Sequence, residues 1–170
     1  MIDRAGVQRH PSFPDMVWVV VEQPPGAKYR LDDHREDGSF RTTTALSLFH
    51  DRGFSGAYGW IGGFGTPPEA HLDVILVTRT VVRPGDIVAA WPVGVFCRND
   101  QDHKVVALDL ALWAGNRVPD LDDLDVADRA ELRALYPRVD PGEGWHGADE
   151  ARRLAERWPS TGDREPGVDG

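Results

Sequence analysis

The sequence predicts an α+β domain that is mainly β: a small β core followed by two C-terminal helices. Three observations carry this. Short runs rich in β-branched residues, bounded by Gly, Pro and Asp, recur between Met16 and Leu110. The apolar spacing then changes to three and four, first over Val126–Leu135 and again over Ala148–Trp158. The chain has 170 residues, of which 41% are hydrophobic, enough for one domain with a proper core.

Met16–Gln23 reads as the first strand, and Pro24-Pro25-Gly26 ends it. Lys28–Asp32 is a second short strand, and Asp37-Gly38 marks a tight turn. Ala45–Phe49 and Tyr58–Ile61 are the next strand candidates, followed by a Gly- and Pro-rich loop over residues 62–68. Leu72–Thr78 is almost continuously apolar, as expected of a strand buried on both faces. Ile87–Phe96 is a long strand in which Pro92 demands an edge, a bulge or a bend. Asn99–Asp102 is a polar hairpin loop, and Lys104–Leu110 returns beside it. Asp125 is placed to cap the first helix, which Pro137 stops; Leu132, Leu135 and Tyr136 share its apolar side. Ala151, Leu154, Ala155 and Trp158 form one face of the second. Periodicity leaves barrel and sandwich equally open. Residues 1–158 are expected to be a single domain with residues 1–15 as an N-terminal arm; the polar residues 159–170 read as a disordered tail.

The formal net charge is −9, which argues against a nucleic-acid partner, because phosphate binding needs basic surface. No apolar run reaches the roughly 18 residues that a membrane span needs. Cys97 is the single cysteine, so an internal disulfide is excluded and a reducing compartment fits. The segment MIDRAGVQRH lacks the apolar core of a secretory signal. A cytoplasmic location is the expectation.

Over roughly Val17–Leu110, and more weakly toward Trp158, the order of motifs resembles the soluble (family I) inorganic pyrophosphatases. Glu22-Gln23-Pro24-Pro25-Gly26-Ala27-Lys28-Tyr29-Arg30 corresponds to the opening motif of that family, with its glutamate at Glu22, its lysine at Lys28 and its closing glutamate replaced by Arg30. Phe54-Ser55-Gly56-Ala57-Tyr58-Gly59 keeps the second of two tyrosines as Tyr58. Pro68-Glu69-Ala70-His71-Leu72-Asp73 stands where the family has D-G-D-P-x-D, whose aspartates hold catalytic magnesium; only Asp73 remains. Trp91-Pro92-Val93-Gly94-Val95 matches the R-P-V-G-V motif, and Asp100, Gln101, Asp102, His103 and Lys104 match a D-E-x-x-x-D-x-K loop with the glutamate lost. Tyr136 stands for the first residue of the C-terminal Tyr-Lys pair.

The resemblance implies a closed five-stranded, OB-like barrel flanked by two helices, and a homo-oligomer such as a hexamer or dimer. Of the family's pocket carboxylates it retains Glu22, Asp73, Asp100 and Asp102, and it loses those at Arg30, Pro68, Ala70 and Gln101. Ala70 takes the place of the general base, a loss that ordinarily costs about 10²–10⁴ in rate. The leading expectation is therefore a repurposed enzyme needing no cofactor. It would use acid–base catalysis for hydrolysis, cyclisation or isomerisation of a small organic substrate in specialised metabolism. Asp73, Asp100 and Asp102 are its candidate acids and bases; His71 and Glu69 alternate with Asp73 and bring further acid–base capacity. Glu22, Lys28, Arg30, Tyr58, Trp60, Lys104 and Tyr136 are the candidate substrate-binding residues. The alternatives are a weak Mg2+-dependent inorganic pyrophosphatase, with metal on Asp73, Asp100 and Asp102, and a non-catalytic binding or oligomer-forming relative.

Overall fold

The computed structural model describes residues 6–32, 39–67 and 70–158. Among the described residues, eight strands and three α-helices follow in the order β1 (Val17–Gln23), β2 (Tyr29–Asp32), β3 (Arg41–Leu46), α1 (Leu48–Asp51), β4 (Ala57–Ile61), β5 (Asp73–Val77), β6 (Ile87–Cys97), β7 (Lys104–Asp109), α2 (Val126–Leu135), β8 (Gly144–Gly147) and α3 (Ala148–Arg157). Five of them close a barrel in the order β1-β4-β5-β7-β6, because β6 also pairs back onto β1. All its pairs are antiparallel except β5 with β7, which run parallel. The second half of β6 adds β8 at its side, and β2 and β3 form a separate two-stranded ribbon.

Alternation of side chains along the strands divides the core in two. Val17, Val19, Val21, Val74, Leu76, Val105 and Ala107 share one buried cluster, which Ala151 and Ala155 of α3 join. Ile75, Val77, Val106 and Leu108 point the other way and receive Leu132 and Leu135 of α2. α2 is anchored by charge as well: Arg79 Nη2 donates to both carboxylate oxygens of the buried Asp128, each at 2.8 Å. Asp125 occupies the N-cap position of α2, yet its side chain makes no cap bond. Gly59 admits no side chain, since a Cβ there would stand 1.9 Å from the Val20 carbonyl oxygen of the paired strand.

The bulge demanded by Pro92 lies between Pro92 and Gly94, and it lets β6 pair with β7 on both sides of the proline. One strand expectation fails. Ala45–Phe49 is split: β3 ends at Leu46, and backbone bonds from Asp51 to Ser47 and from Arg52 to Leu48 close a helical turn instead. Gly53, at φ 72°, ends that turn. β8 was not foreseen, because four residues with two glycines carry no strand pattern; it exists by pairing with Gly94–Cys97. Of the N-terminal segment, Arg9 and Phe13 pack on the barrel, with the Arg9 guanidinium 4.5 Å from the Phe64 ring centroid and the Phe13 ring 5.5 Å from Phe64. The Asp37-Gly38 turn and residues 159–170 lie outside the described residues. Among the described residues no helix is long and apolar enough to cross a membrane.

Candidate functional site

Asp73 and Lys104 are the first residues of β5 and β7, and the parallel register sets them directly opposite each other. Their side chains therefore leave the barrel on the same face, at the mouth where those strands begin. Tyr58 on β4 is diagonal to Asp73, since it pairs with Ile75 two residues on. Glu22 enters at the end of β1, where a register shift accompanies the pairing of Gln23 with Tyr58.

Lys104 is 7% exposed, and its ammonium is the hub. It donates a very short bond to Asp73 Oδ2 and a second, at 2.7 Å, to Asp102 Oδ1. Tyr58 Oη lies 3.4 Å from the same Nζ. The other oxygen of Asp73, Oδ1, meets His71 Nε2 at 2.8 Å. Asp73 thus sits between two cationic or proton-donating groups. Burial pushes its pKa up, but the His71 bond and the Lys104 ammonium outweigh this and hold the carboxyl well below the usual carboxylate range. Burial likewise opposes the charge on Lys104, and Asp73 and Asp102 overcome it, keeping the ammonium protonated. The Tyr58 hydroxyl is driven far above its ordinary pKa, first by burial and then by the charge of Asp73 and a bond to it, so it remains a neutral donor.

Glu22 is the odd carboxyl of the group. It is 7% exposed, and burial, followed by the charge of Asp73, raises its pKa from 4.5 to about 7. The folded chain thus binds this proton more tightly than the unfolded chain. Stability must fall as pH rises from about 4.5 to about 7, with the full penalty above. Glu22→Gln removes that penalty. The variant is expected to be more stable than the parent at pH 8 by up to about 3 kcal/mol, and to show no gain at pH 4. Urea unfolding at the two pH values reads this, and equal stabilities at pH 8 would refute it.

Arg30, Asp32 and His71 also lie close enough to act on Glu22. Tyr136, whose own pKa is raised by burial, feels Lys104, Arg98, Asp102 and Asp73. The structure therefore gathers Glu22, Arg30, Tyr58, His71, Asp73, Asp102, Lys104 and Tyr136. Asp100 stands at the hairpin tip, where its Oδ1 accepts from the Asp102 backbone N–H at 3.0 Å and Gln101 takes a φ of 66°. Lys28 stays on the exposed ribbon with its Nζ 5.5 Å from the Tyr29 ring centroid. Trp60 is 1% exposed and packs at 6.2 Å from the Phe40 ring, so it is core beneath the mouth rather than a lining residue. Glu69 and Pro68 lie outside the described residues, and Ala70 is exposed.

Sequence reasoning missed Arg98. Its Nη2 lies 3.0 Å from Asp100 and its Nη1 3.6 Å from Asp102, tying both hairpin carboxylates together. The signal was its place two and four residues before those aspartates. Among the described residues, no three His, Cys, Asp or Glu side chains are grouped to hold a metal by themselves, because Lys104 occupies the space between Asp73 and Asp102. Mg2+ at phosphoryl-transfer sites commonly rests on one or two carboxylates plus substrate oxygens. Asp100 and Asp102, with side chains 55% and 53% exposed, are adjacent hard-oxygen donors that fit this mode.

A family model described as inorganic pyrophosphatase matches residues 19–158. An inorganic pyrophosphatase of Sulfolobus acidocaldarius is 30% identical over 154 residues, covering 82% of this chain and 87% of that protein. One of Haemophilus ducreyi is 29% identical, covering 84% and 88%. Among solved structures, an inorganic pyrophosphatase from Neisseria gonorrhoeae superposes with a TM-score of 0.70 at 21% identity over 91% of this chain and 95% of that one. One from Ehrlichia chaffeensis gives 0.69 at 20% identity over 91% and 99%. The structural neighbours share the barrel and its C-terminal helices.

Proposed function

The chain belongs to the inorganic pyrophosphatase family, and from that premise we propose that it hydrolyses inorganic diphosphate to two phosphates with Mg2+. The expectation of a reaction without a cofactor is overturned, because family I inorganic pyrophosphatases depend on Mg2+. The expectation of an organic substrate in specialised metabolism gains no support from relatives named as inorganic pyrophosphatases.

The observation that carries the reading is the convergence of Asp73, Lys104, Tyr58, Asp102 and His71 at one barrel mouth within the region that matches the family. Asp100 and Asp102 would hold Mg2+ together with the oxygens of the diphosphate. When bound, Mg2+ neutralises phosphoryl charge and polarises the P–O bonds. Lys104 Nζ and the neutral Tyr58 hydroxyl donate toward phosphoryl oxygens and orient them. His71 takes the part vacated at Ala70. Asp73 Oδ1 holds its Nε2, so the imidazole is oriented, and Nδ1 accepts the proton of the attacking water. Glu22, poised near pH 7, returns a proton to the departing phosphate.

Phosphate release from diphosphate is expected at about 1 per second or more in the presence of Mg2+, and to cease when EDTA is in excess. No release above the enzyme-free control would overturn the reading.

A further inference from the structure

The hairpin between β6 and β7 carries two carboxylates, Asp100 and Asp102, and each of their four oxygens already faces a donor of the same chain. Asp100 Oδ1 accepts the Asp102 backbone N–H at 3.0 Å, and Asp100 Oδ2 meets Arg98 Nη2 at 3.0 Å. Asp102 Oδ1 accepts from Lys104 Nζ at 2.7 Å, and Asp102 Oδ2 faces Arg98 Nη1 at 3.6 Å. One guanidinium therefore spans both acids, one nitrogen to each. The backbone beneath is pinned independently of that side chain. The Arg98 N–H donates to His103 Nδ1 at 2.9 Å, and the Gln101 N–H to the Arg98 carbonyl at 3.2 Å. The Asn99 N–H donates to Glu143 Oε1 at 3.1 Å, and its side-chain amide to the Pro141 carbonyl at 3.0 Å. The Arg98 side chain is 31% exposed, so it can leave into solvent without moving the hairpin.

A guanidinium and a divalent cation compete for such a pair. Mg2+ takes hard oxygens at close range, and it repels a positive charge left beside them. A guanidinium cannot yield by losing a proton, so it has to swing away. We propose that Arg98 is an internal rival of Mg2+, a latch across Asp100 and Asp102 that opens as the ion binds and sets how much Mg2+ the protein needs. Lys104 does not have to move with it, because Asp73 holds the same ammonium. The latch rests on the reading of Asp100 and Asp102 as the carboxylates that take Mg2+. It adds to that reading a residue that opposes the metal rather than holding it. The sequence encodes the device in the spacing of Arg98, Asp100 and Asp102.

Calorimetric titration with Mg2+ alone, without diphosphate, compares the parent protein with Arg98→Gln and with Asp100→Asn/Asp102→Asn. Arg98→Gln removes the two ion pairs that the metal must displace, and it is expected to bind Mg2+ about three- to tenfold more tightly. Arg98→Lys keeps the charge but loses the fork, and its affinity should fall between the two. The aspartate double variant should lose the binding. In the parent, Mg2+ should also shift the NMR signal of the Arg98 guanidinium toward that of free arginine, which a purely structural ion pair would not show. If Arg98→Gln and Arg98→Lys bind Mg2+ no more tightly than the parent while the aspartate variant loses it, the latch is overturned and the metal reading stands. If the aspartate variant binds as the parent does, or if none of these proteins binds Mg2+, both are overturned.

Discussion

Asp73→Asn is expected to lower diphosphate turnover by about 10²–10⁴-fold, with the protein still folded. The side chain keeps its volume, and Lys104 keeps Asp102 as a counter-ion at 2.7 Å, so the ammonium is not left bare. What changes is Oδ1, the atom that holds His71 Nε2. An amide in its place offers either an oxygen without charge or an N–H facing an N–H, and the imidazole loses its fixed orientation. The loss should fall mainly on kcat, because the groups assigned to hold the diphosphate are untouched. Steady-state kinetics at saturating Mg2+ measure this. A variant within threefold or so of the parent would remove Asp73 and His71 from the mechanism.

Lys104→Met is expected to cost about 3 kcal/mol of stability at pH 7 and to abolish turnover. The ammonium is nearly enclosed, and its removal leaves Asp73 ionised in a buried place with only His71 and the Tyr58 hydroxyl as partners. The sign with pH is definite. Asp73 has a depressed pKa in the folded chain, so its contribution is present above the unfolded carboxyl value and is lost as pH falls through the folded value. Without Lys104 that folded value rises, and the deficit of the variant shrinks on acidification as Asp73 takes up its proton. Chemical unfolding at pH 7 and pH 4 reads both statements. Adding Asp73→Asn to Lys104→Met should recover much of the loss, and a strictly additive double variant would show that the two groups are not coupled.

The strands β5, β6 and β7 and the helices α2 and α3 were legible because they carry strong local patterns: a doubly buried apolar run, a long strand with one proline, and spacings of three and four; closure into a barrel was implied only by the family resemblance, since periodicity does not choose between barrel and sandwich. α1 and β8 were not legible, because each is made by pairing and turn closure rather than by its own residues. At the site, the motif order supplied Glu22, Tyr58, Asp73, Asp102 and Lys104, and the alternation of His71 with Asp73 anticipated their contact at 2.8 Å. Trp60 misled because nearness in sequence to Tyr58-Gly59 says nothing about which aromatic ring faces the mouth and which lies beneath it.

The pairing of β5 with β7 has a consequence for how the protein acquires activity. It is the barrel's parallel contact, and it joins residues 31 positions apart, Asp73 with Lys104. Such a contact repays its loop-closure entropy only after β6 has folded back between the two in sequence, so it belongs to the slow, non-local stage of folding. A slip of one residue would send the Lys104 ammonium into the apolar cluster of Val105 and Ala107. The chemistry at the mouth therefore comes last and only in the correct register, which makes recovered turnover after dilution from denaturant a stricter clock of folding than recovered secondary structure.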